Sequence, residues 1–338
     1  MYPRRSTLAA TLLAVALAAD LGQAQPPPAP EPTPEPRPPG VVPVSEPTDS
    51  EFDEPRSERL ETRLHLEGSS NDNFFRAPEG EEESLRIGRY QFRLLWKMFA
   101  DEPYKVFAEV QETNYETLPS ATTFLSGFRL EGDRHFVETR VEYSKDRPST
   151  DTEDDPDPAD VERFDGEYTF RLSHDWQTTA ATELEERTHD RPGNDSQTLE
   201  VGLALRWRGA GAIFSPELGI ARARKNADRP NDEYTQEDLY LRMRSRPVDR
   251  LYVSLRYRDR DRDYDVLVER ASNFARSDQR GEWSLHADFT ASDLVIVNLE
   301  YEHIDTDSSR RNKSFTSSEI SLGLTLRHKF AGTGQRHD

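Results

Sequence analysis

Six arginines and seven glutamates, each at an alternate position of a segment whose other positions are apolar, are the residues here best suited to chemistry. They are Arg206, Arg208, Arg242, Arg244, Arg256 and Arg258, against Glu109, Glu138, Glu142, Glu183, Glu185, Glu300 and Glu302. Their chemistry is electrostatic. Facing each other across a wet passage, they would set up a transverse field that sorts solutes by charge. On neighbouring strands they would pair instead, stiffening the wall or closing it. Arg140 lies between Glu138 and Glu142, and Arg171 shares a segment with Glu167, which weighs toward pairing.

Bond-making chemistry finds little support. Ser173-His174 has no acid partner in a recognisable arrangement, and the Gly-x-Ser-x-Gly, His-Glu-x-x-His, P-loop and Gly-x-Gly-x-x-Gly patterns are missing from the sequence. The chain has no cysteine, which removes thiolate metal sites, cysteine nucleophiles, disulfides and a lipidated cysteine. Asp151 to Asp160 is acidic but lacks EF-hand spacing, so it reads as a solvated loop more than a Ca²⁺ site. In Arg258 to Asp263, arginine and aspartate alternate from a strand into its loop. Pairing inside the lumen and contact with lipopolysaccharide phosphate are both open there, pairing being favoured. The expectation is a protein that is not an enzyme and holds no cofactor or metal, with a lipid-modifying barrel enzyme using Ser173 and His174 as the minor alternative. A net charge of −20 and pI near 4.9 argue against nucleic acid as partner.

The elements that would carry these charges alternate apolar and polar residues. Leu60 to Leu66, Tyr90 to Met98, Tyr104 to Val110, Phe124 to Leu130, Val137 to Tyr143 and Leu199 to Trp207 all keep period two. So do Leu239 to Met243, Leu251 to Tyr257, Trp283 to Phe289, Val295 to Tyr301 and Ile320 to Phe330. With Tyr168 to Trp176, a weak run from Thr178 to Leu184, and Phe214, Leu218 and Ile220, about 14 strands are expected, 12 or 16 being the alternatives. Short links such as Gly132-Asp133, Gly209-Ala210-Gly211 and Ser292-Asp293 alternate with long ones at 69–83, 146–162, 188–196, 223–234, 260–280 and 305–315. Trp96, Tyr104, Tyr143, Trp176, Trp207, Tyr257 and Tyr301 fall near strand ends, as an interfacial girdle requires. At 34% hydrophobic, 32% charged and mean hydropathy −0.88, no run past the N-terminus supplies the roughly 20 apolar residues of a membrane helix. A closed sheet needs only every second residue apolar. The fold expected is all-β, a transmembrane antiparallel up-and-down β-barrel with both termini periplasmic.

Four segments follow. Residues 1–24 read as a cleaved signal peptide, with Arg4 and Arg5, an apolar run from Leu8 to Ala19 and the small-x-small site Gly22-Gln23-Ala24. Residues 25–56 are a proline-rich periplasmic tether that is polyproline II or disordered, either a plain linker or a strap for a periplasmic partner. Residues 57–330 form the barrel, and 331–338 a short tail.

This arrangement resembles the outer-membrane porin class of Gram-negative bacteria over about residues 57–330. Asn71-Asp72-Asn73-Phe74-Phe75-Arg76-Ala77-Pro78 is similar to a segment of outer-membrane barrels, some tied to surface-polysaccharide export. Ile320 to Phe330 resembles the C-terminal strand read by the barrel-assembly machinery, although members usually end on that aromatic and eight residues follow Phe330 here. The resemblance implies an outer-membrane location, lipid and lipopolysaccharide as surroundings, and a channel for small polar solutes or a saccharide export conduit. A non-conducting anchor for a periplasmic partner is the alternative.

Overall fold

The computed structural model describes residues 58–73, 84–97, 104–132, 134–148, 158–189, 193–209, 213–229, 232–267, 275–309 and 313–331. The signal peptide, the tether, residues 332–338, most of the acidic loop and residues 74–78 of the segment after the first strand lie outside the described residues.

Among the described residues fourteen strands occur in chain order: β1 Glu58–Asn71, β2 Leu85–Lys97, β3 Tyr104–Tyr115, β4 Ala121–Glu131, β5 His135–Pro148, β6 Pro158–Arg171 and β7 Trp176–His189. They continue with β8 Ser196–Trp207, β9 Phe214–Ala227, β10 Tyr234–Val248, β11 Leu251–Leu267, β12 Ala275–Ser292, β13 Val295–Ser308 and β14 Phe315–Ala331. Each strand pairs antiparallel with the next, and β1 pairs with β14 from Glu58↔Ala331 to Asn71↔Glu319, so the sheet closes with no edge. Of the strand counts expected, 14 is the one observed.

Period two decides which way the wall faces. Leu199, Val201, Leu203 and Leu205 on β8 point outward and are exposed, as are Tyr90 to Trp96 on β2 and Ile320 to Leu326 on β14. Leu322 is 62% exposed and Leu203 59%, far from the 1% of the inward Phe107. A belt of this kind round a whole barrel greatly exceeds the apolar patches of soluble monomers, a few hundred Å² at most. Polar residues occupy the alternate, inward positions.

Strand boundaries differ from the sequence reading in three places. Leu172 belongs to the turn at 172–175, and Trp176 opens β7 instead of closing β6. Strands reach beyond their apolar runs and are 11 to 18 residues long. The extra length lies mainly at the long-loop end, where strands run past the apolar belt. Connections there shrink to 5–13 residues, while those at the other end have 2–6. Arg258 to Asp263, expected to run from a strand into its loop, is therefore ladder throughout, within β11. Apolar alternation marks only the part of a strand that meets the belt, and beyond it both faces are polar, so hydropathy loses the period. Third, Pro216 sits inside β9, just past Arg206↔Glu217, where pairing with β8 stops, so that its missing N–H removes no bond on that side.

Two glycines let aromatic rings lie flat on the inner wall. Phe107 on β3 covers its register partner Gly127 on β4, and Tyr240 on β10 covers Gly219 on β9; a Cβ at either glycine would run into the ring. β5 bulges between Ser144 and Arg147, where Asp146 takes φ 56°, a left-handed conformation that aspartate tolerates. Its N–H donates to Asp160 at 3.2 Å, and that carboxylate also accepts from the Tyr143 hydroxyl at 3.1 Å.

Candidate functional site in the barrel interior

Several inward positions of β8 and β9 are small: Gly202 and Ala204, then Gly219, Ala221 and Ala223. Because these residues leave the wall bare, the lumen beside them stays open. Among the cavities of the interior are two of about 640 and 330 Å³. The larger reaches toward the short-turn end, past Gln177, Arg206 and Tyr252, and the smaller toward the long-loop end, past Arg163, Glu183 and Glu200. Glu138, Arg140, Glu167, Tyr240, Arg242 and Arg256 border both, so the cavities meet at that waist.

Most sequence-selected charges are joined to neighbours on the same or an adjacent strand. Arg163 reaches Glu183 at 3.2 Å and Glu185 at 2.8 Å, and Glu185 also accepts from Arg187 at 2.7 Å. Glu138 accepts from Arg129 at 2.7 Å and meets Arg140 at 3.0 Å. Glu142 is 3.4 Å from Arg147, and Glu109 accepts from Gln91 at 2.6 Å and lies 3.6 Å from Arg93. Arg242 and Arg244 divide Glu217, at 3.6 and 3.2 Å. Arg206 is 3% exposed and donates to Ser215 at 2.8 Å, while Arg208 reaches Gln177 at 3.5 Å. Glu300 bonds His286 at 2.7 Å, and Glu302 stands across from Ser284 and Glu319.

One link spans farther. Arg258 on β11 pairs with Asp238 on β10 and also reaches Glu200 on β8 at 3.1 and 3.2 Å. It passes over the alanines of β9. Within the run from Arg258 to Asp263, Arg258 and Arg260 pair inward, Arg260 reaching Glu282 at 3.2 Å, and Arg262 bonds Gln236 at 2.8 Å; the aspartates take the opposite face. Partner carboxylates Glu200, Glu217, Asp238 and Glu282 were not singled out from the sequence. Their signal was there, since Glu200 alternates with Leu199 and Val201, and Glu217 directly precedes Leu218.

The closing seam carries its own polar chain. Asn298 donates to Asp288 at 2.6 Å, Thr325 donates to Asn298 at 2.8 Å, and His65 meets Thr325 at 2.8 Å and Glu67 at 3.1 Å. Arg89 bridges Glu67 and Glu319, the latter at 3.0 Å, and Asn71 donates to Glu319 at 3.2 Å. Asn73, almost wholly buried, donates to the Thr316 carbonyl at 2.7 Å, and Asp72 accepts from the Ser318 N–H at 2.5 Å. The described part of the Asn71–Pro78 segment thus bolts β1 to β14 where the barrel shuts.

Ser173 and His174 lie in the β6–β7 turn. The serine hydroxyl accepts from the N–H groups of Asp175 and Trp176 at 3.3 and 3.2 Å, as a turn-capping serine does, and His174 meets the Asp175 carboxylate at 3.1 Å.

No protein-family model matches the chain, and no curated protein matches it. Solved structures similar to it are outer-membrane β-barrels. They include a loop-deletion mutant of OmpT, an outer membrane protein of Vibrio cholerae, with TM-score 0.46 and 6% identity over 80% of this chain and 100% of that one. An anion-selective porin from Comamonas acidovorans gives 0.44 and 7% over 80% and 98%. A deletion mutant of the TodX monoaromatic hydrocarbon channel gives 0.49 and 9% over 85% and 94%. With scores below 0.5, the barrel rests on its own ladders and belt.

Proposed function

We propose that this chain is an outer-membrane channel of porin type that passes small polar solutes. The observation that carries the reading is the two-sidedness of one wall: a continuous exposed apolar belt outside, and charged residues around cavities inside. Only a closed barrel satisfies its backbone in lipid while enclosing water. Lipid and lipopolysaccharide would cover the belt. The short-turn end, where Glu58 and Ala331 pair, would face the periplasm in this reading, and a tether leading into β1 would start from that side. Purified protein refolded in detergent and added to planar bilayers is expected to give stepwise conductance; its absence at every voltage would end the reading.

The same recording tests the reach of Arg258. Replacing it with glutamine releases Glu200 and Asp238 and withdraws a side chain that narrows the lumen near the long-loop end. Conductance per channel is expected to rise. An unchanged step size would mean that the narrowest point lies elsewhere.

A further inference from the structure

Positive charge gathers around the larger cavity, although the chain as a whole carries −20. Six arginines border the larger cavity, Arg129, Arg140, Arg206, Arg242, Arg244 and Arg256, with three carboxylates, Glu138, Glu167 and Glu217. Two of those carboxylates are each divided between two arginines: Glu138 between Arg129 and Arg140, Glu217 between Arg242 and Arg244. The third, Glu167, accepts from the Thr169 hydroxyl at 3.1 Å.

Arg256 is the sharpest case. Its register partner on β10 is Arg242, so two guanidinium groups stand directly across a ladder from each other, an arrangement that destabilises a sheet unless something else compensates it. Among the described residues Arg256 meets no carboxylate at ion-pair distance; its guanidinium lies 5.0 Å from the centre of the Tyr240 ring, and its buried Nε has no hydrogen-bond partner. Tyr240 can lie there because Gly219 gives it room. Arg242 and Arg256 both line the open space of the two cavities, and neighbouring guanidinium groups are the donors that an oxyanion requires. The 640 Å³ beside them falls within the size range of small-ligand sites.

We propose that the waist formed by Arg242, Arg256 and Tyr240 binds a small solute bearing a multivalent oxyanion. This deepens the channel reading by naming the class of solute that the lumen holds. Chloride lacks the paired oxygens that would engage both guanidinium groups, and neutral sugars lack the charge, so both bind far more weakly.

Inorganic pyrophosphate serves as the probe. Titrated calorimetrically into the detergent-folded full chain, it is expected to bind the wild type and to lose about tenfold to hundredfold in affinity in the Arg242→Gln/Arg256→Gln variant, from the loss of charge-assisted hydrogen bonds. The Arg256→Gln single variant is expected to fall between them, and Arg222→Gln, on the outer face, to bind as the wild type does. Arg256→Gln relieves the repulsion between two facing like charges, and Glu217 keeps Arg244 as its partner in the double variant, so both should fold, as the heat-dependent shift in gel mobility will show. No binding by the wild type, or equal affinity in a folded double variant, overturns the proposal. Pyrophosphate block of single-channel current separates this inference from the channel reading. Conductance without binding removes the site and leaves the channel, and binding without conductance does the reverse.

Discussion

Replacing Leu218 with arginine is expected to cost the folded barrel about 2–4 kcal/mol, the penalty for a cation on the outer face at bilayer mid-depth. Leu218 lies near the middle of the outward apolar run Phe214 to Ile220 on β9, and its register partners on either side are Leu205 and Leu241. All three are exposed outward. Two steps beyond Ile220 the same face already carries a charge, Arg222, whose side chain is 70% exposed and 3.9 Å from Glu237. Because its outward partner on β10 is the charged Glu237, so that the apolar run stops there on that side, Arg222→Leu is expected to change stability by less than about 1 kcal/mol. Urea unfolding in lipid vesicles measures both. Equal midpoints for Leu218→Arg and the wild type, or a wild-type chain that stays monomeric in detergent-free buffer, would mean that the belt does not face lipid.

That contrast also explains how much of the molecule its sequence disclosed. The strands are readable because an outer face that meets hydrocarbon favours apolar side chains, and so leaves a period of two on most segments. Leu199 to Trp207 shows it plainly. Arg258 to Asp263 keeps the same geometry with arginine inward and aspartate outward, yet an average over hydropathy sees only charge, and the residues looked like loop. Thr178 to Leu184 is legible only faintly, since Thr178, Ala180 and Thr182 occupy outward positions that larger apolar residues fill elsewhere.

The interior was less readable, for a different reason. Alternation says that Arg258 faces in, but its distant partner Glu200 is three strands away, reached because Ala221 and Ala223 stay low between them. Finding that partner requires the register of three ladders and the height of the side chains beneath. The arginine pair at 242 and 256 similarly becomes a feature only once β10 and β11 are aligned. Charge types and facing were legible; which charges meet was fixed by register and by small residues whose importance lies in what they do not fill.

Those small residues also locate the site where one added group does most harm. Gly127→Val is expected to destabilise the barrel by about 3 kcal/mol, at the upper end of the cost of overpacking a well-packed interior. A Cβ there would strike the Phe107 ring on one side and the backbone carbonyl of Thr139 on the other. Phe107 is held in place, 1% exposed, with the Arg93 guanidinium 4.7 Å from its ring centre. A ring can be removed, whereas a carbonyl in a paired strand cannot. In a Phe107→Ala background, therefore, the added cost of Gly127→Val should shrink but not vanish, and the size of that coupling in a double-mutant cycle separates ring clash from backbone clash. Gly68, where a Cβ would meet nothing within 4 Å, supplies the comparison: Gly68→Ala should leave stability within about 0.5 kcal/mol of wild type. If Gly127→Val unfolds at the wild-type midpoint, Phe107 does not lie over Gly127, and the flat aromatic lining inferred for this wall, including Tyr240 at the waist, loses its physical basis.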